Sequence, residues 1–123
     1  MQVDKLEQRA RVAAVAVELA QLVRLRRPKV ILEIGMSYGF STLHFAAAAQ
    51  AYGGVVHTID ISEKKQQAAA EHFAQAGLDH VITRHHGDAR QVLKTLPLHG
   101  QVGMAFIDAV KQESREYLEA LWP

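Results

Sequence analysis

The chain has 123 residues, 49% of them hydrophobic, and a formal charge of +1 from 14 Lys and Arg against 13 Asp and Glu. That is room for one domain with the balance of an ordinary globular protein, and it lacks the clustered cation a nucleic-acid arm or polybasic membrane surface needs. No cysteine is present, which excludes disulfide scaffolds, thiolate metal sites and cysteine nucleophiles. The segment Met1–Glu7 is charged, without an apolar signal core, and no stretch approaches the ~20 apolar residues of a membrane span. The expectation is a cytoplasmic protein with neither a membrane nor a nucleic-acid partner.

A helix is predicted from about Asp4 to Arg26, where Val12, Val15, Leu19 and Leu22 recur at helical spacing and make one apolar stripe. Pro28 cannot continue a helix interior and restricts Arg27 as well, so the helix ends there. Val30–Ile34 is a short apolar β-rich run closed by Gly35 and reads as a buried strand. A helix follows from Phe40 to about Ala51, broken by Tyr52-Gly53-Gly54, and Val55–Asp60 is the second strand. Ser62 suits the cap of the next helix, which passes Phe73 and ends at Gly77.

Val81–His85 is the third strand, less apolar than the others and so nearer an edge. Adjacent strand residues point to opposite faces, so His85 and His86 read as structural rather than as a metal pair. Asp88 suits the cap of a short helix to about Leu96, which Pro97 stops. Val102–Asp108 is the fourth strand, and a last helix covers roughly Glu113–Leu121. Strands separated by helices need crossover connections, which give a parallel sheet covered on both faces. The fold class is therefore α/β, doubly wound and Rossmann-like.

In such sheets ligands bind beyond the carboxyl ends of the strands, so the residues just after each strand carry the information. After the first strand, Gly35 and Gly39 let the backbone turn and approach a ligand, and the helix mouth that follows suits a carboxylate or phosphate. Ser41 adds a hydroxyl there. The G-x-x-x-G spacing, with Glu33 just before it, matches neither the dinucleotide fingerprint nor the phosphate loop. Asp60 ends the second strand, where a carboxylate either holds both hydroxyls of a ribose or caps a helix. Asp88 and Ala89 follow the third strand; Asp88 caps a helix, sits beside an adenine amine, or does both. Asp108 ends the fourth strand with Lys111 close behind, a pair fit to hold a cation and accept a proton, or to form a surface ion pair.

Taken in order, E-x-G-x-x-x-G-x-S at 33–41, an acid at 60, G-D-A at 87–89 and F-I-D-A-x-K at 106–111 resemble the class I S-adenosylmethionine-dependent methyltransferases. Among them the chain is similar to the small O-methyltransferases of the catechol and caffeoyl-coenzyme A type, over Leu19 to Leu121. The resemblance implies S-adenosyl-L-methionine as cofactor and a small hydroxylated molecule as methyl acceptor. It implies that Glu33 orients the glycine loop, Gly35 and Gly39 line the cofactor, and Ser41 meets its methionine carboxylate. Asp60 then holds the ribose, and Ala89 lies by the adenine with Asp88 or Arg90 beside it. Asp108 is implied as ligand of Mg2+ or another divalent cation, and Lys111 as base on the acceptor. Many relatives carry a second acid where this chain has Val110.

The resemblance also implies a sheet that continues with a fifth strand and an antiparallel pair, the further metal ligands following that fifth strand. The expectation for residues 1–123 is thus a single partial domain with four strands in the order 3-2-1-4. Its fourth strand would be an apolar edge, covered in a homodimer or by a separate fragment. A non-catalytic cofactor-binding or oligomerising fragment of such an enzyme is the alternative reading.

Overall fold

A computed structural model describes residues 5–107, with side chains from residue 14 onward. Its elements are α1 (Lys5–Arg26), β1 (Val30–Ile34), α2 (Phe40–Gln50), β2 (Val55–Asp60), α3 (Glu63–Gln75), β3 (Ile82–His86), α4 (Ala89–Thr95) and β4 (Met104–Ile107). Asp108, Lys111 and the helix predicted for Glu113–Leu121 lie outside the described residues. The four strands run parallel in the order β3-β2-β1-β4, the order expected.

Register and alternation decide what each face buries. Ile31 lies beside Val56 and Met104, and Val56 beside Ile82. This row packs under α1, α2 and α3 with Val23, Phe45 and Phe73. Leu32, Ile34 and Ile59 point to the other face and pack with Ala89 and Leu93 of α4 and with Leu98. Burial on both faces explains why β1 is apolar at every position but Glu33.

The apolar stripe expected on α1 is not its buried face. Val15 is 52% and Leu22 46% exposed, whereas Ala16, Ala20 and Val23 are at most 2% exposed. Leu19 is half-buried against the core, and Val12 lies among the residues whose side chains are not described. The reason is the neighbour: α1 packs on α2, whose Ala46, Ala48 and Ala49 join Ala20 in one cluster. Helix separation is set by the side chains at the contact, and small ones bring the axes close, so alanine fits where valine or leucine would hold the helices apart. β3 begins one residue later than expected, at Ile82. Val81 closes a turn onto the Leu78 carbonyl at 3.0 Å and is buried from there.

At the amino ends of the strands, Arg27 takes a left-handed φ of 51° and its N–H closes onto the Val23 carbonyl at 2.8 Å, ending α1. This is a common way to stop a helix, although glycine usually fills the position. The Arg27 guanidinium lies 5.3 Å from the centre of the Tyr52 ring, and the Tyr52 hydroxyl donates to the Pro28 carbonyl at 2.7 Å. Burial raises the Tyr52 phenol above its ordinary value, with Arg27 pulling the other way.

Candidate functional site

The loop between β1 and α2 lies at the carboxyl end of the sheet. Gly35 has φ 93° and Gly39 φ 86°, both left-handed and favouring glycine. The Gly35 N–H donates to the Ile59 carbonyl at 2.9 Å, which fastens the loop to the end of β2. Gly39 has a second reason to lack a side chain, and it is packing: a Cβ there would lie 2.6 Å from the Phe73 ring and 3.1 Å from the Ala69 Cβ. α2 starts directly after it with no side-chain cap and no acid in its first turn. The N–H groups of that turn suit an anion.

Beneath this mouth lies Glu33, 3% exposed. Its Oε2 accepts the Ser41 hydroxyl at 2.5 Å. Its Oε1 accepts the hydroxyls of Thr42 and, at 2.8 Å, Thr58. One carboxylate therefore ties β1 to β2 and to the first turn of α2. Ser41 gives its single proton to Glu33, so its oxygen turns lone pairs toward the cavity. In this arrangement the donors for a ligand carboxylate are the backbone N–H groups of α2, and Ser41 meets such a group only by turning its proton away from Glu33.

A cavity of about 490 Å³ opens here, lined by Glu33, Gly35 and Ser41, by Val15, Ala16, Leu19 and Phe45, and by Ala105–Ile107 of β4. Phe45 and Phe106 stack with centroids 4.2 Å apart. The walls are thus mostly apolar, with polar groups gathered at the β1 end. That composition is typical of small-molecule sites.

Half-buried Asp60 stands at the tip of β2. Its Oδ2 accepts the Ser37 N–H and its Oδ1 the Ser62 N–H, each at 2.9 Å. A carboxylate offers about four acceptor positions, so two remain for hydroxyl donors. The cap of α3 is Ser62, whose hydroxyl accepts the Lys65 N–H at 3.2 Å. Ile61, 69% exposed, follows Asp60, and its carbonyl is held by His86 Nε2 at 3.0 Å.

Asp88 caps α4 by accepting the Arg90 N–H at 2.9 Å. It also takes Arg90 Nε at 3.2 Å and Nη2 at 2.9 Å. Hydrogen bonds from the Arg90 side chain and backbone hold its carboxyl below the usual range. The capping role is therefore filled, and buried Ala89 opens the helix behind it. The Gly87 N–H bonds the Asp60 carbonyl at 3.1 Å, which sets this turn beside the tip of β2.

Residues 32–123 match a family model described as a methyltransferase domain. The chain belongs to that family. Among this methyltransferase domain's curated relatives, a caffeoyl-CoA O-methyltransferase of Medicago sativa is 31% identical over 107 residues, covering 84% of this chain and 43% of the relative. A catechol O-methyltransferase of Mycobacterium tuberculosis is 34% identical over 101 residues, covering 82% and 44%. The O-methyltransferase TomG of Streptomyces achromogenes, solved in complex with SAM, superposes with a TM-score of 0.80 at 34% identity, covering 88% of this chain and 49% of that one. The chain thus spans less than half the length of each of these proteins.

The structure brings Glu33, Gly35, Gly39, Ser41 and Asp60 around one loop and sets Asp88 and Ala89 alongside; Asp108 and Lys111 lie outside the described residues. Sequence reasoning missed Thr42 and Thr58 beneath the methyltransferase loop. Thr58 reads as an ordinary β-forming residue until register sets it directly beside Glu33. It also passed over Ile61, where the sequence shows only an apolar residue next to Asp60 and its exposure is seen in the structure.

Proposed function

We propose that this domain binds S-adenosylmethionine across the carboxyl ends of β1, β2 and β3 and serves methyl transfer to an oxygen of a small hydroxylated acceptor. The observation that carries the reading is Asp60, fixed by two backbone N–H groups at the junction of the glycine loop and α3 with acceptor positions to spare. A ribose diol needs such an acceptor. The amino-acid end of the cofactor fits the α2 mouth, where backbone N–H groups meet a carboxylate and the Ser41 lone pairs meet an ammonium group. Exposed Ile61 offers an apolar surface to the base beside the Gly87–Ala89 turn. The TomG complex with SAM supports the cofactor, and the Medicago and Mycobacterium relatives support oxygen as the acceptor atom.

When bound, the cofactor supplies a methyl group on a sulfonium. The contribution of this chain is alignment: Asp60 holds one end and α2 the other, beside the mostly apolar cavity. Asp108 as ligand of a divalent cation and Lys111 as base on the acceptor hydroxyl belong to the same reading and rest on the F-I-D-A-x-K motif. Two further parts of the proposal are association through the apolar β4 edge, as a homodimer or with a separate fragment, which light scattering tests, and a cytoplasmic location, which cell fractionation tests.

Titration calorimetry of the chain with S-adenosylmethionine and S-adenosylhomocysteine tests the core of the proposal. Hydrogen bonds to a charged group are worth about 1.5–3 kcal/mol each, so Asp60→Ala is expected to weaken both ligands by at least tenfold. Unchanged affinity would remove the assignment.

A further inference from the structure

We infer that Thr58 is a positioning residue for the amino-acid end of the cofactor site, acting through Glu33. The inference rests on the cofactor reading above and names a residue that reading does not use. Thr58 sits in the middle of β2 with no exposed surface, directly beside Glu33 in register. An apolar β-branched side chain would ordinarily fill such a place. Here a hydroxyl is buried instead, and it donates to Glu33 Oε1 at 2.8 Å.

The other two hydroxyls on Glu33 come from neighbouring residues of one helical turn, Ser41 on Oε2 and Thr42 on Oε1. The last torsion of a glutamate is broad, so its carboxylate plane follows its partners. With Thr58 present, that plane is referenced to the sheet. Without it, the described hydroxyl contacts all come from the element that the carboxylate is meant to place. Ser41 lines the cavity together with Glu33 and Gly35. The order of control is therefore Thr58 to Glu33, Glu33 to the first turn of α2, and that turn to the ligand. Asp60 is fastened separately, through the Ser37 and Ser62 N–H groups, so the nucleoside end stands outside this line.

That separation supplies the test. Thr58→Val and Thr58→Ser are compared with the unaltered chain by calorimetry against two probes. One is S-adenosylhomocysteine; the other is 5′-methylthioadenosine, which keeps the nucleoside and lacks the amino-acid end. Thr58→Val is expected to weaken S-adenosylhomocysteine about tenfold, the equivalent of ~1.4 kcal/mol, and methylthioadenosine less than twofold. Thr58→Ser, which restores the hydroxyl, returns both to within twofold of the unaltered chain. Should Thr58→Val not fold, Thr58→Ala removes the same hydroxyl with no added bulk and carries the same expectation. Equal weakening of both probes, or of neither, overturns the inference while leaving the cofactor reading intact. Failure of the unaltered chain to bind either probe overturns the cofactor reading and this inference with it.

Discussion

Replacing Gly39 by alanine separates backbone strain from packing at the loop on which the site is built. A left-handed L-residue costs roughly 1–2 kcal/mol, and Gly39 has φ 86°. The added methyl would also lie 2.6 and 2.7 Å from two atoms of the Phe73 ring, a ring only 1% exposed and so without space to withdraw into. Overpacking of this kind costs about 1–3 kcal/mol, for a total of about 2–5 kcal/mol out of the ~5–15 kcal/mol that stabilises a typical domain. Gly77 is the internal control: its φ is 70° and nothing lies within 4 Å of a Cβ built there, so Gly77→Ala bears the backbone cost alone. Urea unfolding followed by circular dichroism, with unchanged slopes, gives both values. Gly39→Ala is expected to be less stable than Gly77→Ala by about 1–3 kcal/mol. Equal losses would show that α3 does not press on the loop as described.

Acid is expected to weaken the fold in two separate windows. His57 Nδ1 and His85 Nε2 lie 2.9 Å apart with their rings stacked, and such a contact requires one proton between the two nitrogens. Burial lowers the pKa of both, and His57 lowers that of His85 further. The unfolded imidazoles therefore take up protons near pH ~6.5 while the folded ones do not, so stability is complete above that value and falls as the pH drops through the interval below it. Thermal melts between pH 7.5 and 5.5 should show this slope and a smaller one in a His57→Gln, His85→Gln double variant; equal slopes would refute the assignment. The second window belongs to Asp88, whose carboxyl Arg90 holds below its ordinary range. Its cap on α4 is present above pH ~3.9 and lost as the pH falls through the lowered value. Asp88→Ala is expected to speed hydrogen exchange at the α4 amides at neutral pH, and unchanged exchange would count against the cap.

The alternation of apolar runs with helical segments is enough to read element order and a parallel sheet, because each strand between helices must cross over and be covered twice. The buried face of α1 was harder to read. Hydropathy ranks Val15 and Leu22 above Ala16 and Ala20, yet the partner face on α2 is made of alanines, and only a second small face fits it. At the site, Asp60 and the glycines stand out because glycines and acids at strand ends are conspicuous along the chain. Of the hydroxyls around Glu33, Ser41 stands out at the helix mouth, but Thr42 and Thr58 do not, and Thr58 joins them only once β1 and β2 are set side by side. The reading of Gly39 shows the reverse limit. Its spacing suggests room for a ligand, while a large part of the reason for its missing side chain is Phe73, on a helix that sequence alone cannot place against the loop.

The Arg27, Pro28 and Tyr52 cluster bears on how the opposite end of the molecule responds to a guest. Tyr52 follows α2 and latches onto a residue just before β1, while the Glu33 carboxylate clasps the first turn of the same helix. The helix is thus moored at both its ends to the sheet, and a guest at its mouth meets a berth built before it arrives.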